Sequence, residues 1–395
     1  MQVARAGRDA KEDLTVELSP STAGVEIELE SSVATFYGAR IREVVGEALE
    51  ALGLGAVKAT VSDRGALDWV IQARVEAAAR LLAPEAIGDR QALPAMAAGA
   101  AAVEVPRDRM RRSRLYLPGD QPDLMINAGL FKPDGVILDL EDAVAPPQKF
   151  AARYLVRNAL RAVDFGGAER MVRINQLPRG LEDLPEIVAQ PVDTLLLPKA
   201  ERGGDVVAVA ERIRELTDRT IWLMPILESA LGVENAYAVA SADRTVVALA
   251  FGAEDFTRDI GAARTDKGTE SFVARSKLVL AARAAGVQPI DTVYSDVANE
   301  QGLLASCREA IALGFDGKGC IHPRQVRTIH EAFCPSDRDV AYAVRVKRAM
   351  DQAEARGDGV ISIGSKMVDP PVVARAMRVL ELARFYRIDL ERFGR

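Results

Sequence analysis

Asp139, Glu141 and Asp142 bring three carboxylates into four residues of the stretch Asp134–Lys149, DGVILDLEDAVAPPQK. They follow the apolar run Val136-Ile137-Leu138, the pattern of a strand buried on both faces, and precede Pro146-Pro147, which neither a strand nor a helix continues through. Like charges raise one another's pKa unless a cation or a donor offsets them. A single acid at this place reads as a helix cap; a cluster, with similar strand ends elsewhere, reads as a site. The comparable positions are Arg173 in VRIN, Lys199 in LPKAE, Glu228 in ILESALG and Glu254-Asp255 in FGAEDF.

Glu228 and Asp255 come from different strand ends, and two such carboxylates, with water and substrate oxygens in the remaining positions, suit Mg²⁺. His322 and His330 are the only histidines and neither pairs with a cysteine at zinc spacing, so zinc is disfavoured. Arg173 offers a planar fork for a substrate carboxylate. A hydroxy or oxo acid held by Mg²⁺ and a guanidinium permits aldol or Claisen carbon–carbon chemistry, with the ion as Lewis acid. A positioned acid or base would add about 10²–10⁴-fold. Lys199 leaves a Schiff-base aldolase open as an alternative.

Such side chains need elements to carry them. From Arg109 onward the sequence predicts eight strands: SRLYLP (113–118), GVILDL (135–140), RMVRIN (170–175), TLLLPK (194–199), IWLMPIL (221–227), VVALAFG (246–252), QPIDTVY (288–294) and GKGCIHP (317–323). Helical stretches such as Asp205–Glu215 and Phe272–Ala285 lie between them. This predicts a TIM (β/α)8 barrel, with a doubly wound sheet as the competing fold; the barrel is favoured because the candidate residues fall at strand C-terminal ends. Ahead of it, Val16–Leu18 and Val25–Leu29 alternate about the turn Ser19-Pro20-Ser21-Thr22 and predict a hairpin. A helix over 37–52, a strand over Ala56–Ser62 and a helix over 67–82, striped by Leu67, Val70, Ile71, Arg74, Val75 and Ala78, complete a small α+β module. The division expected is a module at 1–83, a semi-flexible Ala/Pro/Gly-rich linker at 84–108, the barrel at 109–330 and a C-terminal helical extension at 331–395.

The 395 residues are 49% hydrophobic and 27% charged, an ordinary balance for a soluble protein, and the net charge of −6 argues against nucleic acid as main partner. Cys307, Cys320 and Cys334 give no disulfide framework and point to a reducing cytoplasm. No apolar run approaches the roughly 18–20 residues that span a bilayer, and the N-terminus has no apolar signal region.

Two resemblances rest on these residues. AGRDAKEDLTVEL, ELESSVATFYGARIREVV and DRGALDWVIQARVEAA resemble the acyl carrier (gamma) subunit of citrate lyase over residues 5–80. That family attaches its prosthetic arm to a serine; with Ala6-Gly7 and Asp13 in register, the serine position falls on Lys11, which has no hydroxyl to form the phosphodiester. RRSRLYLPGDQPDLMINAG, GVILDLEDAVAPPQK, MVRINQ, LLLPKAE, ILESALGV, FGAEDF, DTVYSD and GFDGKGCIHPRQV resemble, in order over 109–330, the citrate lyase beta subunit and malyl-CoA lyase family.

The second resemblance implies Glu228 and Asp255 as Mg²⁺ ligands, Arg173 on the oxo-acid carboxylate, and Asp139, Glu141 and Asp142 orienting Arg173 and metal waters. Arg114 and Lys199 are its candidates for the coenzyme A (CoA) end of the substrate. Ser362–Arg375, SIGSKMVDPPVVAR, matches the family's G-x-M-[VI]-D-x-P segment, whose Asp, here Asp369, protonates the thioester enolate in a neighbouring subunit's site. A homotrimer or hexamer follows. The activity implied is Mg²⁺-dependent cleavage or condensation between a 3-hydroxyacyl-CoA, such as malyl-CoA, citramalyl-CoA or a citryl thioester, and acetyl-CoA plus a 2-oxo acid. The alternatives are a thioester hydrolase on the same barrel and a carrier or scaffold subunit.

Overall fold

Alternating apolar and polar residues build the first sheet. The computed structural model describes residues 3–94, 104–265, 267–356, 361–363 and 366–393, in two compact units, Met1–Val326 and Arg327–Arg395. The first unit begins with β1 (Ala4–Gly7), β2 (Leu14–Pro20), β3 (Glu26–Ser31) and β4 (Val57–Asp63), ordered β1-β2-β4-β3, with α1 (Ala34–Ala51) and α2 (Asp68–Leu82).

The predicted hairpin of the second and third strands does not form, because β4 lies between them. β2 pairs antiparallel with β4 from Leu14↔Asp63 to Pro20↔Val57, and β3 pairs parallel with β4. Leu14, Val16 and Leu18 bury their inward face against the same core as Val57, Ala59 and Val61, so these two strands take the centre. The exposed glutamates Glu26, Glu28 and Glu30 suit β3 to the edge, where charge blunts further pairing. β1, which the sequence did not suggest, covers the other side of β2.

Helix α2 is buried from Trp69 to Ala79 apart from Gln72, wider than its predicted stripe, although Leu67 of that stripe precedes the helix and is exposed. It lies against β1 and β2 on one side and a barrel helix on the other. The linker region is partly anchored: α3 (Pro84–Ile87) buries Ile87, and the Val105 carbonyl accepts from the Trp222 indole at 2.7 Å. Its residues 95–103 lie outside the described residues.

Eight parallel strands then close a barrel, so the TIM-barrel expectation holds and the doubly wound alternative does not. They are β5 (Ser113–Pro118), β6 (Gly135–Asp139), β7 (Glu169–Arg173), β8 (Thr194–Leu197), β9 (Trp222–Leu227), β10 (Ala248–Phe251), β11 (Gln288–Asp291) and β12 (Gly317–Cys320). The ring closes from β12 to β5 through Lys318↔Ser113 and Cys320↔Leu115. The connecting helices are α4 (Pro122–Met125), α5 (Lys149–Ala162), α6 (Leu184–Val188), α7 (Gly203–Leu216), α8 (Ala230–Glu234), α9 (Ala236–Ala240), α10 (Ala253–Asp259), α11 (Phe272–Ala285), α12 (Glu300–Leu313) and α13 (Pro323–Phe333). Helices outside and side chains inside cover both faces, which is why β6 and β8 read as continuous apolar runs. Ile137, Met171, Leu196, Met224, Ile226 and Ile290 fill the interior, each worth about 1.5–3 kcal/mol of transfer from water. Stability is thereby carried below the strand ends, leaving polar groups free at the mouth.

The second unit contains α14 (Asp337–Arg356), the antiparallel pair β13 (Ile361–Ile363) and β14 (Lys366–Val368), and α15 (Pro370–Phe385). Ala343, Val346, Val368, Ala376 and Leu380 form its core. Gly364 of the tail motif lies outside the described residues. Among the described residues no helix is long and apolar enough to cross a membrane.

Candidate active site

Asp139 ends β6, and its carboxylate organises the turn that follows by accepting from the Glu141 and Ala143 amides at 2.9 and 3.1 Å. From the end of β7, Arg173 donates to the same carboxylate through Nε at 2.7 Å and Nη2 at 2.5 Å, and its Nη1 reaches Glu141 at 3.0 Å. This bidentate pair fixes the plane of the guanidinium. Lys149 holds the acidic turn from behind: its Nζ donates to the Leu140 and Glu141 carbonyls at 2.9 and 2.6 Å and to Asn175 Oδ1 at 2.7 Å.

Lys199, just past β8, has φ = 51°, a left-handed conformation that a side chain rarely adopts. The strain is tied to the site, because its amide donates to Glu228 Oε1 at 2.7 Å. Its ammonium donates to Glu141 and stands 3.6 Å from Asp142 and 4.0 Å from Asp255. Burial opposes that charge, but the Glu141 bond and the surrounding acids raise the pKa above the ordinary lysine value.

Glu228 follows β9 and is buried; burial, with Asp255 and Glu141 adding to it, pushes its carboxyl up to about 8. Gly252 makes room for it: a Cβ there would stand 2.4 Å from Glu228 Oε2. Asp255, in the first turn of α10, is paired with Arg258. Neighbouring Glu254 turns to Arg264 and is exposed.

Asp139, Glu141, Asp142, Glu228 and Asp255 thus face Arg173, Lys199 and, at Asp255, Arg258, so that among the described residues five carboxylates meet three ion-paired cations and negative charge is in surplus. An acid denied its charge by burial and, to a lesser degree, by like neighbours, among oxygen donors, fits a hard divalent cation such as Mg²⁺. Among the described residues no group of three or more His, Cys, Asp or Glu side chains gathers as a closed metal cage. Two protein carboxylates completed by water are the arrangement that Mg²⁺ commonly takes.

The cavity beside these groups has a volume of about 390 Å³ and is lined by Arg114, Tyr116, Asp142, Arg173, Glu228 and Asp255 among others. The Arg173 guanidinium carbon stands 5.3 Å from the Tyr116 ring centroid. A larger cleft of about 610 Å³ lies near Trp222 and Arg107, at the start of β9 away from the strand C-terminal ends, and holds no comparable acid cluster.

The structure therefore gathers seven predicted residues around the barrel mouth, with Arg114 in the cavity wall. Asp369 belongs to the second unit, where it is exposed at the start of α15 and its carbonyl accepts from the Val372 and Val373 amides. Lys11 sits in the turn between β1 and β2 with its side chain 81% exposed and ion-paired to Glu12. Sequence reasoning missed Tyr116, Lys149, Asn175 and Gly252. Tyr116 was in reach, since it is two residues from Arg114 on one strand and so shares its face. Lys149 opens α5 and holds carbonyls of the same β/α turn, whereas Asn175 and Gly252 meet their partners Lys149 and Glu228 from the next unit of the barrel.

Residues 112–323 match the family model described as HpcH/HpaI aldolase/citrate lyase, and residues 1–82 match an acyl carrier family described as malonate decarboxylase delta subunit. The citrate lyase subunit beta of Haemophilus influenzae is 39% identical over 284 residues, 70% of this chain and 98% of the relative. The (3S)-malyl-CoA thioesterase of Cereibacter sphaeroides is 34% identical over 274 residues, 69% of this chain and 94% of the relative. Among solved structures, the CitE protein of Mycobacterium tuberculosis in complex with magnesium, acetoacetate and coenzyme A is 32% identical, with a TM-score of 0.58 over 71% of this chain and 100% of that one.

Proposed function

The chain belongs to the HpcH/HpaI aldolase/citrate lyase family, and on that premise we propose that its barrel is a Mg²⁺-dependent carbon–carbon lyase acting on CoA thioesters. It cleaves a 3-hydroxyacyl-CoA into acetyl-CoA and a 2-oxo acid, or joins the two. The observation that carries this reading is the buried, charge-starved Glu228 beside Asp255, at the mouth of a cavity that also presents Arg173.

Glu228 and Asp255 would hold the ion, which when bound supplies Lewis-acid polarisation of the oxo-acid carbonyl. Arg173, locked by Asp139 and Glu141, orients the oxo-acid carboxylate with little freedom to lose on binding. Asp142, the most open of the three clustered acids, is placed for metal-bound water. Burial raises the Glu141 pKa, and Lys199, bonded to its carboxylate, opposes that rise and holds the side chain in place. Asp369, contributed by a neighbouring copy, donates the proton to the thioester enolate carbon, so the working form is a homotrimer or hexamer. Cysteines without a disulfide framework agree with a cytoplasmic setting.

The N-terminal module resembles a carrier without its attachment serine. Free CoA thioesters are therefore favoured over a carrier-bound citryl group, and the module, at 1–83 with the segment 84–108 behind it, acts as a structural part of the barrel at 109–330. The extension at 331–395 brings Asp369.

The deciding experiment offers purified full chain acetyl-CoA with glyoxylate, pyruvate or oxaloacetate, in Mg²⁺ or in EDTA, and identifies thioester products by mass. A Mg²⁺-dependent adduct supports the lyase. Free CoA released from a hydroxyacyl-CoA with no adduct supports hydrolysis, a second reading favoured by the likeness to the malyl-CoA thioesterase. Silence in both assays rejects a free-standing enzyme and favours a scaffold subunit.

A further inference from the structure

A phenol in the wall of the 390 Å³ cavity is left without a hydrogen-bond partner among the described residues. Tyr116 lies two residues beyond Arg114 on β5, so both side chains point into the barrel. Its ring rests on the apolar interior that Ile137 and Met171 help to form, and it is held from two further sides. The Arg173 guanidinium carbon stands 5.3 Å from the ring centroid. Gly319 of β12 leaves room for the ring edge, since a Cβ there would be 3.4 Å from Tyr116 Cε2. A tyrosine hydroxyl taken largely out of water usually has a partner. Whereas Arg114 Nε is unpaired and closed to solvent, the Tyr116 oxygen is open to the cavity.

The surroundings decide what this hydroxyl can do. Burial, with the Asp139 and Glu228 carboxylates adding to it, raises the phenol pKa above the ordinary tyrosine value, against the pull of Arg114 and Arg173. The group therefore stays protonated at neutral pH and offers a donor, not a base. Two of the charges it feels, Arg173 and Glu228, are also the two ends of the oxo-acid site. The contacts of Arg173 with Asp139 and Glu141 fix its plane and still leave N–H groups over for a substrate carboxylate. An oxo acid with its carboxylate on Arg173 and its carbonyl turned towards Glu228 and Asp255 carries its C2 oxygen between them, beside Tyr116.

We propose that the Tyr116 hydroxyl donates a hydrogen bond to the C2 oxygen of the bound oxo acid, which makes Tyr116 a catalytic residue of the barrel. In condensation the electron pair of the thioester enolate forms the bond to C2, and the carbonyl pair moves onto that oxygen. In cleavage the same pair returns. A fixed donor at this atom stabilises the charge where it develops, in a site already shielded from water. The inference rests on the reading of the cavity as the oxo-acid site.

The test is Tyr116→Phe in the full chain, which keeps the ring against Arg173 and removes the oxygen alone. Its thermal unfolding midpoint should match the parent's, because the change strands no partner. Condensation is measured with acetyl-CoA, Mg²⁺ and whichever of glyoxylate, pyruvate and oxaloacetate the parent accepts. There kcat should fall by about 10²-fold while KM for the oxo acid changes little. An unchanged kcat, with KM raised or not, overturns the proposal. So does a fall in kcat that comes with weakened Mg²⁺ affinity in isothermal titration, which would trace the loss to Glu228. A second arm needs no turnover: isothermal titration in Mg²⁺ with lactate and with propionate, two acids that differ in the C2 oxygen alone. Tyr116→Phe should weaken lactate by about 2–10-fold, the worth of one hydrogen bond, and leave propionate as it was. Equal losses for the two acids, or none, overturn the proposal. Weakening confined to lactate in a protein that condenses nothing keeps the hydrogen bond and sinks the lyase reading alone. A parent that neither condenses nor binds either acid overturns both.

Discussion

Glu76 of α2 and Arg157 of α5 are joined by two hydrogen bonds of 2.8 and 2.7 Å, with both side chains fully buried. Glu76 also accepts from Arg80 at 2.9 Å and from the Ala92 amide at 2.8 Å, while Arg157 reaches Glu186 at 2.9 Å. Beside them, Asn158 donates to the Trp69 carbonyl at 2.9 Å. A carrier that swings an arm between sites would have to break this pair and expose it. Here the module is grown into the barrel.

Glu76→Ala leaves Arg157 with one partially exposed carboxylate, Glu186, and the neutral Asn158 Oδ1, and should cost about 3–5 kcal/mol. Urea unfolding of the full chain followed by circular dichroism measures it. Replacing both partners with apolar residues, Glu76→Leu with Arg157→Met, should cost much less, because no charge is stranded. A single-variant loss below about 1 kcal/mol would mean that the pair does not hold the module.

The same pair makes the junction sensitive to acid. Burial alone would raise the Glu76 pKa, but the Arg157 bonds and charge, with the Ala92 amide and Arg80, hold it below the ordinary glutamate value. The folded pKa is lower than the unfolded one, so the contribution is complete above about pH 4.3 and is lost as pH falls through the folded value. Melting temperatures of the parent and the double apolar variant should run parallel from pH 7 to pH 5, then converge towards pH 3. Parallel lines throughout would remove Glu76 from the acid response.

The barrel was legible because each strand is a short apolar run and each β/α unit is local in sequence. The acids were legible because charge at the end of a buried run conflicts with burial unless something uses it. The hairpin of β2 and β3 was misread because alternation marks a strand's faces and not its neighbour, and β4 arrives from beyond α1. The burial of Glu76 escaped for a related reason. A charged residue on a helix reads as facing solvent, and only α5, distant in sequence, supplies Arg157. Gly252 could not be seen because its role is the volume it leaves to Glu228.

That volume can be tested. Gly252→Ala would place a methyl 2.4 Å from Glu228 Oε2 and 2.7 Å from its Cβ, so the carboxylate must move. Mg²⁺ affinity measured by isothermal titration should weaken by about 10–100-fold, as for loss of groups that position a ligand. Retained affinity would show that Glu228 has room elsewhere or does not bind the ion.

Lys199 separates metal chemistry from Schiff-base chemistry. Its ammonium is held by Glu141 and stands near Asp142 and Asp255, which keeps it protonated and without a free electron pair. Borohydride added with an oxo acid should therefore leave the mass of the chain unchanged. A stable adduct on Lys199 would reinstate the lysine aldolase.

Asp369 offers the most direct view of assembly. Asp369→Asn should lower kcat by about 10²–10⁴-fold, as expected for a lost proton donor, and Glu228→Gln should abolish Mg²⁺-dependent turnover. If Asp369 serves a neighbouring copy, two inactive variants can complement each other. A subunit bearing Glu228 would then sit beside one bearing Asp369, and random reassembly of an equal mixture restores both to about one site in four. Activity should rise towards that fraction after the variants are unfolded and refolded together, and not when they are refolded apart and mixed. A mixture that stays inactive would place Asp369 in its own subunit's chemistry or outside the chemistry altogether. The same samples, run by light scattering, report whether a trimer or hexamer forms, so loss of assembly cannot pass for loss of the proton donor.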